Sequence, residues 1–353
     1  MLDFAPNLID DELLVSYAAR WRFLSGLRQK TFCDALAGRQ IAFHALNAAR
    51  FVTIESTIGI VADKNWVEEN MTLYPFARPF LGEVINARHF TAGKELKSLG
   101  TEVEELRRRP WGTLCLKHCP ECARENRHND SVAAWRRSHN IPGVTACLKH
   151  GLRLIEMPHV PESLQVLRVQ PDAEPHSEAC RSELWYAAVA KDLLAASIPV
   201  VHREQFKFAL RAGLVRTFGR LEKNAMQSLI LHGLEKNFEP SFLRGIGAGT
   251  ASAKMAIARI AEDDKKPLNP VHAILLAKLT HEGGIVELFR EALTFKVRPL
   301  SNSRVVKMES FKKLVAGIEA ANKRSLIKRR SLLSDGVLDA NVPDEVIMID
   351  GEI

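Results

Sequence analysis

Two pairs of residues near the middle of the chain have types and spacing suited to chemistry: Cys119 and Cys122 in Cys-Pro-Glu-Cys, and Cys147 and His150 in Cys-Leu-Lys-His, with 24 residues between the pairs. A two-residue spacer lets both side chains of a pair turn toward one tetrahedral ion, and three thiolates with one imidazole make a closed zinc shell. Such a shell keeps no position for a reacting water, so the expected role is structural: one Zn2+ per chain on Cys119, Cys122, Cys147 and His150. Cys115 and His118, just upstream in Leu-Cys-Leu-Lys-His-Cys-Pro, are alternative donors for one of these places. Cys119 is preferred because a two-residue knuckle with Cys122 has better geometry than one beginning at Cys115. Cys33 and Cys180 have no partner nearby in sequence and read as core or surface thiols.

Other chemistries find little support. The glycine cluster Gly245-Ile-Gly247-Ala-Gly249-Thr250 lacks the lysine of a phosphate-binding loop and reads as a connection between helices. Asp263-Asp264 and Glu104-Glu105 sit in polar runs and read as solvated faces, not as metal-binding carboxylates. His128, His139 and His272 occur without a His-Glu-x-x-His or His-x-Glu pattern, and His139 reads as a hydrogen-bonded structural residue at a helix end. The residues therefore do not supply the chemistry of an enzyme. Six cysteines in 353 residues, with no signal-peptide pattern and no apolar run near the about 18 residues of a membrane span, point to a reducing cytoplasm.

The ligands need elements to position them, and the periodicity predicts mostly helices. Asp10 or Asp11 is placed to cap a helix with the apolar stripe Leu14, Tyr17, Ala18, Trp21 and Leu24, ended by Gly26. Thr31 is placed to cap a second, through Phe32, Ala35 and Leu36 to Gly38; two short helices so joined suit a helix-turn-helix or a plain helix hairpin. Pro75 and Pro79 argue against a regular helix over Thr72 to Leu81. Val144 to Cys147 and Leu152 to Ile155 read as a hairpin whose loop, Leu148 to Gly151, presents His150. A helix begins near Glu183, and Phe206, Leu210, Leu214, Met226, Leu229, Ile230 and Leu234 recur at helical spacing, broken by Gly213 and Gly219.

The fold class expected is mainly α and multidomain. Residues 1–110 form an N-terminal helix-turn-helix-like region, 111–157 a small zinc-binding α/β-hairpin unit, 158–182 a linker, 183–295 a helical DNA-binding-like region, and 296–353 a basic arm with an acidic tail. The formal net charge of +7 is modest, but its distribution is uneven. Lys296 to Ser334 holds eleven Lys or Arg against two Glu, and Asp335 to Ile353 six acids against no Lys or Arg. A basic arm followed by an acidic end reads as an interaction tail; an ordinary solvated helix over Met308 to Arg330, burying Phe311, Leu314, Ile318 and Ala321, fits the same residues.

Several stretches resemble the TniQ family, and within it the TnsD branch. They are Cys119 to Glu125, Trp135 to Val144 and Cys147 to Gly151, with Asp11 to Arg20, Thr72 to Leu81 in a Thr-Leu-aromatic-Pro pattern, and Asn269 to Leu276 in a Pro-x-x-His-x-Leu-Leu pattern. The resemblance spans roughly residues 8 to 295. It implies a non-catalytic target-site selector of a bacterial cut-and-paste transposon, cytoplasmic and nucleoid-associated. Such a protein binds double-stranded DNA or a DNA-bound RNA-guided effector and recruits an AAA+ regulator and, through it, the transposase. Direct DNA reading, effector docking and homodimerisation all stay open. A zinc-containing transcriptional regulator is the alternative. Either way, phosphate contacts are sought on basic side chains: Arg20, Arg22, Arg28 and Lys30 near the first helix pair; Arg136 and Arg137 beside the zinc unit; Arg211, Arg216, Arg220 and Lys223 in the later helices; and Lys323, Arg324, Lys328, Arg329 and Arg330 in the arm.

Overall fold

A computed structural model describes residues 5–37, 64–80, 115–130, 133–158, 166–167, 177–196, 198, 201–219, 223–258 and 269–295. The basic arm and acidic tail, Gly38, Asp263-Asp264 and Glu104-Glu105 lie outside the described residues. The protein is mainly helical, with a small antiparallel sheet. Among the described residues no helix is long and apolar enough to cross a membrane.

Helix α1 (Leu14–Ser25) buries Leu14, Tyr17, Ala18 and Trp21 and ends at Gly26, whose φ of 67° lies in the left-handed region that favours glycine. Two expectations about it fail. Neither aspartate caps α1: Leu13 is its N-cap residue and makes no side-chain cap bond. Asp11 instead turns to accept the Ser138 N–H at 3.1 Å and the Ser138 hydroxyl. Leu24 is 46 % exposed and Phe23 54 %, so the last turn of α1 projects past the neighbours that cover its first half. Helix α2 (Gln29–Ala37) begins before Thr31, which therefore lies inside the helix and is not its cap. Trp21 meets Phe32 edge-on at 5.7 Å and packs α1 on α2; Cys33 is a core thiol.

Helix α3 (Lys64–Met71) is followed by a helical stretch over residues 74–80, against the expectation set by the two prolines. Pro75 falls in the first turn, where an amide has no helical acceptor to lose, and Pro79 removes a single helical bond. Thr72 Oγ1 accepts the Tyr74 N–H at 3.0 Å and starts the turn. Phe76, Ala77 and Phe80 are buried.

Strand β1 (Cys115–His118), α4 (Pro120–Asp130), α5 (Arg137–Asn140) and β2 (Ile155–Pro158) make the central unit. The two strands pair antiparallel, Cys115 opposite Pro158 and His118 opposite Ile155. Helix α6 (Arg181–Ala195) docks on this unit. The Tyr186 hydroxyl donates to the Pro142 carbonyl at 2.9 Å, and a Cβ on Gly143 would sit 2.7 Å from that hydroxyl, so the close approach needs glycine there.

Helices α7 (Arg203–Phe218), α8 (Lys223–Asn237), α9 (Pro240–Gly245), α10 (Ala251–Ala258), α11 (Pro270–Thr280) and α12 (Gly284–Ala292) follow. The expected loop does connect α9 to α10. Helices α7, α11 and α12 pack on one another, and α8 and α10 on α11. Gly219 ends α7 as expected, but Gly213 does not break it: a Cβ there would lie 2.4 Å from His281 Cε1, so the glycine admits a ring from the next layer. Phe206, Phe289 and Phe80 meet at 5.3 to 5.8 Å, which joins the residue 74–80 turn to the C-terminal helices in one apolar core.

Candidate metal centre

The first ligand pair sits where a strand becomes a helix. Cys119 directly follows β1, its carbonyl takes the Ala123 N–H at 3.0 Å, and Pro120 opens α4, so Cys122 falls in the first helical turn. The unpaired amides and positive end of α4 thus face the sulfurs and favour their ionised form. The second pair comes from the predicted hairpin. The Cys147 N–H donates to the Leu152 carbonyl at 2.8 Å, the Leu154 N–H to the Thr145 carbonyl at 2.9 Å, and the Gly151 N–H to the Cys147 carbonyl at 2.9 Å. Gly151, at φ 65°, lets the loop turn back directly after His150.

The four donor atoms converge within 4.8 Å of one another. His150 Nδ1 lies 3.4 Å from both Cys119 Sγ and Cys122 Sγ and 3.7 Å from Cys147 Sγ, and Cys122 Sγ is 3.7 Å from Cys147 Sγ. A tetrahedral ion with bonds of about 2.3 Å to sulfur and about 2.0 Å to nitrogen places its ligands about 3.5 to 3.8 Å apart. The donor set therefore fits a metal ion of that size. The three cysteines are 0 to 3 % exposed, and Leu152 and Leu154 shelter them. Hydrogen bonds from Cys119 and Cys122 hold the Cys147 thiol well below its usual range, with help from His139 beside it; the contacts with Cys119 and Cys147, then burial, push Cys122 up. Thiols this close together ionise fully only with a cation between them.

The alternative donors lie elsewhere. Cys115 is at the far end of β1, and the His118 ring stands edge-on to Trp135 at 5.7 Å. His139 is buried within α5, as its structural reading expects, and Cys180 is the N-cap residue of α6. Sequence reasoning assigned no role to Glu125, whose Oε1 lies 3.2 Å from His150 Nε2. Its carboxyl is held below the usual range by Lys149, which donates to Oε2 at 2.7 Å, and by His150.

Two of the cations nominated for DNA are spent inside the fold. Arg20 is buried and donates from Nε and Nη2 to the Glu12 carboxylate, both at 2.8 Å, and to the Asn7 carbonyl at 2.7 Å. Arg137 is buried and donates to the carbonyls of Thr72, Asn70 and Glu69 at 2.7 to 2.9 Å, capping the C-terminal end of α3. Neither has a guanidinium to offer a phosphate. Arg22 and Arg211 are half-buried; Arg136 is half-buried, with Nη2 3.5 Å from Asn126 Oδ1. Arg28 and Lys30 are exposed at the start of α2, and exposed Arg216 pairs with Glu291 at 2.6 Å. Lys223 opens α8 with its side chain outside the description, and Arg220, Lys323, Arg324, Lys328, Arg329 and Arg330 lie outside the described residues.

The knuckle and hairpin, with α1 clamped against residues 135–138, set a four-donor cluster that could hold a metal ion into a mainly helical protein. The clamp consists of the Leu13 N–H to the Trp135 carbonyl at 2.9 Å, the Trp135 N–H to Ser16 Oγ at 2.9 Å, and the Arg137 N–H to the Asp11 carbonyl. Residues 4–154 match the TniQ family model, which supports a transposition-associated protein. The match encloses all four donors of the centre. No curated protein matches the sequence.

Proposed function

We propose that the chain is a non-catalytic target-site selector of a bacterial cut-and-paste transposon, TnsD-like in role. It holds one structural Zn2+ on Cys119, Cys122, Cys147 and His150, binds duplex DNA or a DNA-bound RNA-guided effector, and recruits the AAA+ regulator that licenses the transposase in the cytoplasm. The observation that carries this reading is the TniQ match over residues 4–154, which encloses the complete four-donor set. The ligand separations support zinc over a larger oxygen-seeking ion. Zinc, when bound, supplies a cross-link between the α4 knuckle and the 145–154 hairpin. Arg28 and Lys30 support DNA contact: both are exposed at the N-terminal turn of α2, where helix amides also favour phosphate and cations alone are disfavoured. That arrangement suits the helix-turn-helix reading of α1 and α2. Arg22, Arg136, Arg211, Arg216, Arg220, Lys223 and the basic arm extend the same candidate surface.

The test is duplex binding across a salt series, with and without an AAA+ transposition regulator. Each phosphate contact contributes roughly 0.9 to the slope of log affinity against log salt. The double change R28Q and K30Q is expected to flatten that slope by about 1.8 with melting unchanged. R137Q is expected to lower the melting temperature. A wild-type chain that neither binds any duplex nor retains the regulator overturns the proposal.

A further inference from the structure

We propose that Glu125 is the positioning residue of the metal centre, fixing which nitrogen of His150 faces the ion. The inference rests on the metal reading above but concerns a residue outside the four donors. All three sulfurs approach the same ring nitrogen, Nδ1, at 3.4 to 3.7 Å. A metal bound at Nδ1 takes its lone pair, so a neutral ring must carry its proton on Nε2, and an acceptor at Nε2 favours that tautomer and orientation. Glu125 Oε1 supplies the acceptor at 3.2 Å.

The local sequence makes this arrangement compact. Glu125 follows Cys122 by three residues on α4, so one helix provides a ligand toward the ion and, a turn later, the acceptor for the opposite ligand's outer nitrogen. Lys149, the hairpin residue before His150, holds the second carboxylate oxygen at 2.7 Å and leaves Oε1 turned to the ring. The Lys149–Glu125 pair is exposed on both sides, 58 % and 38 %, so its own contribution to stability is small and its effect is directional. His150 is the donor that most needs such help: its side chain is 18 % exposed, whereas the three cysteines are buried.

The test compares metal retention in the full chain by competition with a chelator, for E125A, E125Q and K149M, each with its metal content and melting curve. E125A is expected to lose metal about ten- to a hundredfold more readily than wild type. E125Q keeps an oxygen acceptor and is expected to stay within about threefold of wild type, and K149M likewise. The same pair of Glu125 changes is made on H150C, whose four-thiolate centre has no ring to orient; there E125A is expected to change nothing. A metal-dependent shift of His150 ring nitrogens, with the proton on Nε2 in wild type and lost or exchanging in E125A, reads the tautomer directly. Equal retention in wild type and E125A overturns the proposal, as does an equal loss in E125Q, or an undiminished loss on H150C. If E125A does not fold, E125Q and the H150C series still decide. A wild-type chain without metal would sink the metal reading instead and is seen in the first measurement.

Discussion

Residues 115–158 and residues 203–295 are held together by unlike means. In the first, Leu116, Trp135, Ile141 and Val144 join the common apolar core, but the cysteine cluster, among the described residues, has just Leu152 and Leu154 packed beside it, the strands are four residues each, and α5 is a single turn. In the second, Phe206, Leu210, Leu214, Ile274, Leu288 and Phe289 all lie at 0 to 3 % exposure between long helices. Burying one such side chain stabilises by about 1.5 to 3 kcal/mol, so the helical region distributes its stability over many contacts. A structural zinc site concentrates about 10 to 16 kcal/mol in one ion. The junction is α6. Its first turn engages the metal unit through Glu183, which accepts from Arg153 at 3.0 Å and Thr145 at 3.3 Å, and the later helices through Ser182, which donates to Glu239. Damage on one side should therefore be felt unequally on the other.

The largest expected effect breaks the comparison from the metal side. Cys147→Ser, or stripping the ion with a chelator, is expected to cost most of the about 10 kcal/mol that metal supplies and to unfold residues 115–158. Hydrogen exchange would show amides of the hairpin and α4 losing protection while those of α11 keep theirs. Loss of all protection together would show that the two regions are one cooperative unit, and a Cys147→Ser chain with full metal and unchanged melting would show that the four donors are misassigned. Next in size is the reverse experiment. Phe289→Ala empties the centre of the Phe80–Phe206–Phe289 cluster and is expected to cost about 3 to 5 kcal/mol, read as a lower urea midpoint, with one zinc per chain retained.

That asymmetry also explains what the sequence could disclose. That Cys119, Cys122, Cys147 and His150 come together was legible because a two-residue spacer is a local geometric statement, and Gly26 because a left-handed residue ends a helix wherever it occurs. Partners that come from distant segments were not. Nothing local to Arg20 or Arg137 distinguishes a surface cation from one enclosed by Glu12 or by the carbonyls of residues 69–72, so charge alone nominated both for DNA. Asp11 looked like a cap for α1 and serves Ser138, 127 residues on. Gly213 looked like a helix break because its reason for being glycine is the His281 ring. The pairing of β1 with β2 was missed since Cys-Leu-Lys-His carries no β-branched residue and its partner strand lies beyond the hairpin. Glu125 stood in a quoted motif, but its role depends on which nitrogen of His150 it meets, which spacing does not encode.

The smallest effect separates the regions by their response to acid. The metal unit should weaken as pH falls because thiolates must be ionised to hold the ion. The helical region has its own acid-sensitive group: His272 on α11, which burial holds down to about 4 from an ordinary value of 6.5. Above about pH 6.5 the ring is neutral in folded and unfolded chains alike and contributes nothing. Between there and about pH 4 the unfolded chain takes up a proton that the folded chain refuses, so stability falls as pH falls, by roughly 1.4 kcal/mol per unit and on the order of 3 kcal/mol in all. His272→Gln cannot charge and should remove that slope. Urea unfolding followed by helical circular dichroism at about pH 7, 6 and 5, with zinc measured at each point, isolates the effect from metal loss. The expected result is a wild-type midpoint that declines while the variant's stays level wherever zinc is retained. Parallel decline of the two proteins would place the acid response entirely in the metal unit, and the independence of the two regions would then rest on the Cys147→Ser experiment alone.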